Sequence, residues 1–89
     1  MRCVVSDTGP LLHLTEADAF ALARLAGDLH IPPQVNAELA YLLSDWESPA
    51  WLTIDALSAL HAAEAATWQQ SGLLDAGEAE AIALARQLK

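Results

Sequence analysis

Three carboxylates, Asp7, Glu38 and Glu78, stand at positions where acidic side chains could do chemistry. Asp7 follows Val4-Val5-Ser6 and opens the turn cluster Asp7-Thr8-Gly9-Pro10. In open α/β sheets ligands bind beyond the carboxyl ends of the strands, so an acid there is well placed for a site. It is equally well placed to cap the turn. Glu38 falls beside Leu42 and within a turn of Val35, on the rim of an apolar helical stripe. A partly desolvated carboxylate costs free energy unless a cation or metal ion pairs with it. An ordinary rim glutamate is the plain alternative. Glu78 falls inside the apolar arc set by Ala81, Ile82, Leu84, Ala85 and Leu88, while Glu80 falls outside it, towards Gln87. Asp75-Ala76-Gly77-Glu78 also has capping-box spacing, with Asp75 as N-cap and Glu78 at the third helical position. If the three acids converge, they suit a hard divalent cation, because Mg²⁺ prefers oxygen ligands. Two such ions roughly 4 Å apart can activate a water and stabilise the leaving oxygen in phosphodiester cleavage.

The elements that must position these acids can be read from patterning. Residues 2–6 form a short, partly β-branched strand ended by the turn cluster. Residues 10–14 fit a short helical turn, and Thr15 reads as the N-cap of a helix over 16–26, stopped by Gly27. Leu29-His30-Ile31 is a second strand cut off by Pro32-Pro33, and the prolines open a helix over 33–43. Residues 44–50 are a loop, and 51–54 a third strand. A helix over 56–70, with Leu57, Leu60, Ala63 and Ala66 expected inward, ends at Ser71-Gly72. A last helix runs from near Asp75 to the final residue. The alternation predicts an α/β layered fold with a short parallel sheet, strand order 3-2-1, and helices on both faces.

Composition narrows the function classes. With 89 residues the chain has room for one small domain, and a hydrophobic content of 54% supports a packed core. Twelve acidic and four basic residues give a formal net charge of -8, and Arg2, Arg24, Arg86 and Lys89 form no run. That is unlike a protein that binds nucleic acid by neutralising phosphates with its own bases. Action on RNA is therefore expected to use bridging metal ions, a partner chain, or bases that lie outside this stretch. The single cysteine, Cys3, rules out an intrachain disulfide and reads as a buried thiol of a cytoplasmic protein. There is no signal-peptide core and no span long and apolar enough to cross a membrane. His13, His30 and His61 lack metal-ligand spacing, and Trp46, Trp51 and Trp68 read as packing residues rather than base-stacking platforms.

Three blocks carry a family resemblance. Val4-Val5-Ser6-Asp7-Thr8-Gly9-Pro10-Leu11-Leu12-His13-Leu14 resembles the opening of PIN domains, where a strand delivers the first acidic ligand. Ile31-Pro32-Pro33-Gln34-Val35-Asn36-Ala37-Glu38-Leu39 resembles their second block, and residues 74–85 resemble the third, with the acid at Glu78. The closest likeness is to the small prokaryotic VapC-like toxins of toxin–antitoxin pairs. It implies an endoribonuclease using Mg²⁺ or Mn²⁺, held by Asp7, Glu38 and Glu78 with Thr8 in support. It also implies a homo-oligomer and an antitoxin protein as partner. PIN domains continue into a further strand beside the first, carrying another acid. Residues 1–89 are accordingly expected to form one truncated, incomplete PIN-like three-layer domain. A catalytically inactive remnant, acting as a dimerisation or protein-binding module, is the alternative. Asp7-Thr8-Gly9 also matches the aspartic-protease triplet, but those folds are almost wholly β, whereas this chain is alanine-rich and helical after residue 15.

Overall fold

Val4, Leu29 and Leu52 stand level with one another across a parallel sheet of three strands. In the computed structural model, which describes residues 2–89, these strands are β1 (Cys3–Val5), β2 (Asp28–Ile31) and β3 (Leu52–Ile54). They lie in the order β1-β2-β3, the topology expected from the sequence. Five helical segments connect and cover them: α1 (Thr8–Glu16), a 3-10 helix (Phe20–Ala26), α2 (Pro33–Leu42), α3 (Ala59–Gln70) and α4 (Ala76–Leu88). Side chains alternate across a strand. The Val4, Leu29, Leu52 and Ile31 face therefore packs on Leu11 of α1 and on Val35 and Leu39 of α2. The opposite face, with Cys3 and Val5, borders the C-terminal half of α4. A second, smaller core joins Ala65 of α3 to Ala79 and Ala83 of α4.

The first helix differs from expectation. It starts at Thr8, and Thr15 lies inside it, donating from Oγ1 to the Leu11 carbonyl at 3.0 Å. A residue whose hydroxyl bonds back four residues is within a helix, not at its start. The chain then breaks at Asp18, which adopts φ 55, a left-handed conformation that aspartate tolerates better than most residues. Beyond the break the chain resumes as the 3-10 helix rather than as a continuation of α-helix. It ends at Gly27 (φ 139), where a Cβ would collide with the Arg2 backbone. That contact lets the chain turn directly into β2 beside β1, and Asp28 N–H donates to the Arg2 carbonyl at 2.7 Å.

Two burial expectations are also corrected. Cys3 is exposed, because β1 is an edge strand and its α4-facing side opens into a cleft of about 270 Å³ bordered by Ala85 and Leu88. On α3, Leu60 is 69% exposed and Ala63 and Ala66 point outwards, while Ala65 is buried. The small Ala65 side chain packs against Ala79 and Ala83, and that contact fixes the inward face. The helix starts at Ala59 rather than 56, capped by Ser58, whose Oγ accepts from His61 N–H. Residues before it are held by Gln87 of α4, whose Oε1 accepts from Ser58 N–H (2.7 Å) and whose Nε2 donates to the Ala56 carbonyl (3.2 Å). Trp46 and Trp51 pack on Phe20, each with ring centroids 5.4 Å apart, and Trp68 lies against the Ala65 core.

Glu64 ties α3 to α4. Its carboxylate pairs with His61 Nδ1 at 2.8 Å and with Arg86 of α4 at 3.2 Å. The His61 hydrogen bond chiefly, and Arg86 with it, hold the Glu64 pKa below the ordinary glutamate value. A depressed folded-state pKa stabilises the fold above the unfolded-state pKa, and that contribution is lost as pH falls through the folded value. Glu64→Gln is therefore expected to flatten the acid limb of the stability curve below about pH 4.3. Thermal melts between neutral pH and that range check this.

Candidate active site

The first acid reaches the site without making a local capping bond. Asp7 occupies the N-cap position of α1, yet its side chain makes no capping hydrogen bond. An N-cap carboxylate accepts from the second or third helical N–H. Here the third position, Pro10, has no N–H to give, and the N–H of the second, Gly9, is not bound by the Asp7 side chain. The half-buried Asp7 side chain instead lines a cleft of about 190 Å³ at the carboxyl ends of the strands.

Glu38 enters the same cleft from α2. Buried Val35 and Leu39 fix the helix against the sheet, and Glu38 sits between them on the rim. Its partners are neutral donors rather than a cation: the Thr8 hydroxyl donates to Oε1, and Gln34 Nε2 donates to Oε2 at 3.1 Å. Thr8 thus links the start of α1 to α2 and orients the second acid.

Glu78 and Asp75 complete the acidic lining from α4. Both halves of the capping box are made. Asp75 Oδ1 accepts from Glu78 N–H at 2.8 Å, and Glu78 Oε1 accepts from Asp75 N–H at 3.3 Å. Glu78 is exposed, and with Asp7 it also borders a wider cleft of about 320 Å³ between β1 and α4, walled by Val5, Ala81 and Ile82. The arc expected inward on α4 is therefore divided. Ala81 and Leu84 are buried, while Ile82 and Leu88 line the open side beside the β1 edge. Asp75→Ala is expected to cost about 0.5–2 kcal/mol through loss of the cap, with Asp75→Asn close to wild type. Urea denaturation of the two variants checks this.

Two residues gain a place that patterning did not give them. Glu80, read from the sequence as pointing away, accepts at Oε1 from Gln34 N–H (3.3 Å) in the first turn of α2. Its signal was its position one turn before Leu84, which is fully buried. Asp75, read as a cap alone, also lines the acidic cleft. The histidines pair with separate carboxylates: His13 with Glu16 (3.2 Å), His30 with Asp55 (2.5 Å) and His61 with Glu64 (2.8 Å).

The donor set, carboxylates with one hydroxyl and no basic side chain, fits a hard divalent cation in kind. Among the described residues no three such groups stand close enough to share one ion. Glu78 is folded back on its own helix, where its Oε1 accepts from Asp75 N–H.

A family model described as a PIN domain matches residues 3–89. The chain belongs to the PIN domain family, a nuclease-type family that is generally divalent-metal dependent. No curated protein matches the chain, and no solved structure does. Among the described residues, no helix is long and apolar enough to cross a membrane.

Proposed function

We propose that this chain is an Mg²⁺- or Mn²⁺-dependent endoribonuclease whose metal site is built by Asp7, Glu38 and Glu78. The observation that carries the reading is the shared cleft. Acids from the end of β1, from α2 and from the start of α4 line one cavity, and Asp7 is not engaged in capping. When bound, a divalent ion supplies activation of a water and stabilisation of the leaving oxygen. The protein's own part is positional. Thr8 and Gln34 hold the two oxygens of Glu38 in a fixed plane. Asp75 keeps α4 capped when Glu78 turns from its own helix into the cleft. With no basic side chain in the lining, the cleft attracts RNA phosphate only through its cation.

The finer reading rests on the motif resemblance. The chain is of the VapC-like toxin type, cytoplasmic, homo-oligomeric and paired with an antitoxin protein. A second reading, a catalytically inactive PIN-like remnant serving as a dimerisation or protein-binding module, is favoured by a different observation. Among the described residues the outer edge of β1 is free, and the cleft beside it is walled by apolar residues of α4.

Incubation of the purified chain with a single-stranded RNA, with Mn²⁺ or with EDTA, separates the two readings. Cleavage that requires the metal supports the nuclease. A folded chain that leaves RNA intact at every metal concentration overturns it and leaves the binding module.

A further inference from the structure

The cleft contains one residue whose lack of a side chain is itself a feature of the site. Gly77 is buried in the first turn of α4 at ordinary helical dihedrals, so no turn or positive φ calls for glycine. Glycine inside a helix is unfavourable relative to alanine. What occupies the space of its missing Cβ is the Glu38 carboxylate. A Cβ built there would lie 2.5 Å from Oε1, 3.0 Å from Oε2 and 3.1 Å from Cδ of Glu38, all short of ordinary contact. Both oxygens of that carboxylate are simultaneously bound, to Thr8 and to Gln34. The first turn of a helix carries unpaired N–H groups and the positive end of the helix dipole, which favours a carboxylate there.

We infer that Gly77 is a positioning residue: its missing Cβ is the space that lets Glu38 hold its carboxylate in the cleft between Thr8, Gln34 and the start of α4. This rests on the metal-site reading above and adds a residue to it. Gly77→Ala leaves the helix intact, since alanine is the better helix former. Its methyl group drives the carboxylate off its two donors. Because Glu38 is the end of a flexible side chain, the shift is tolerated by the fold and felt by the site.

The test is a set of four proteins: wild type, Gly77→Ala, Glu38→Asp and the double variant. Each is examined by thermal melting, by ¹⁵N NMR of the Gln34 side-chain amide and the Thr8 backbone amide without metal, and by calorimetric titration with Mn²⁺. Gly77→Ala is expected to melt close to the wild-type temperature, because the helix gain offsets the two lost hydrogen bonds, to shift the Gln34 and Thr8 signals, and to bind Mn²⁺ about 10–100-fold more weakly, as displaced support around a ligand does. Glu38→Asp draws the carboxylate back by one methylene, so adding Gly77→Ala to it is expected to change Mn²⁺ affinity less than about twofold. An equal loss from Gly77→Ala in both backgrounds, or unmoved Gln34 and Thr8 signals, overturns the inference. If the wild type takes up no Mn²⁺, the metal-site reading falls, and the metal-free NMR signals alone then decide the role of Gly77.

Discussion

Asp7→Asn is expected to lower metal-dependent RNA cleavage by at least ~100-fold while leaving the melting temperature close to wild type. A metal's contribution to transition-state charge stabilisation is several kcal/mol, and each ~1.36 kcal/mol is a decade in rate. Removing one charge from the ligand set forfeits much of that. The fold is spared because Asp7 makes no side-chain capping bond to α1, so asparagine has no structural role to lose. A variant that unfolds, or one that retains full cleavage, contradicts this assignment. Parallel melting curves and RNA cleavage rates in Mn²⁺ read both.

Leu39→Ala is expected to cost about 2–5 kcal/mol. Leu39 is fully buried and lies in the core with Leu11, Ile31 and Val35. The cavity left behind is enclosed by the sheet and by α1 and α2, and cannot refill with water. Chains of this size hold only about 4–13 kcal/mol in total, so the loss ranges from about a sixth of the stability to all of it. With a urea slope of about 1 kcal/mol/M, the midpoint falls by ~2 M or more. Leu25→Ala is the control: Leu25 is 82% exposed, and a change there is expected to stay within about 0.5 kcal/mol. Similar midpoint shifts for the two variants would contradict the placement of the core. Because Glu38 sits next to Leu39 on α2, loss of this core is also expected to loosen the second acid.

What patterning reveals depends on how local each cause is. Ile31-Pro32-Pro33 announces both the end of β2 and the start of α2, since proline's fixed φ and missing N–H act within a few residues. The capping box at Asp75 and Glu78 is likewise a matter of four consecutive residues. Thr15 imitates an N-cap because an apolar run after a threonine looks like a helix start. Asp18, whose left-handed turn ends α1, gives no signal beyond its tolerance of that conformation. The inward face of α3 depends on where Ala79 and Ala83 stand, so local spacing alone puts Leu60 inside when it is outside. The exposure of Cys3 comes from strand order, because β1 lies at an edge.

The site obeys the same rule. Asp7, Glu38 and Glu78 are legible as acids at strand ends and helix rims, and they line one cleft. Their partners are not legible. The bond from Thr8 to Glu38 and the space over Gly77 come from helices α1, α2 and α4 meeting at one end of the sheet. No periodicity within a single helix contains that meeting. The same holds for Glu80, which points at the start of α2 while lying on α4.

The most direct test of a shared metal site is Mn²⁺ binding followed by electron paramagnetic resonance, on wild type and on Asp7→Asn, Glu38→Gln and Glu78→Gln. Saturable binding at one or two ions per chain, weakened by each of the three substitutions, is the expected result. Binding that is absent from a folded wild-type chain, or untouched by all three changes, would mean that the acids share a cleft without sharing an ion.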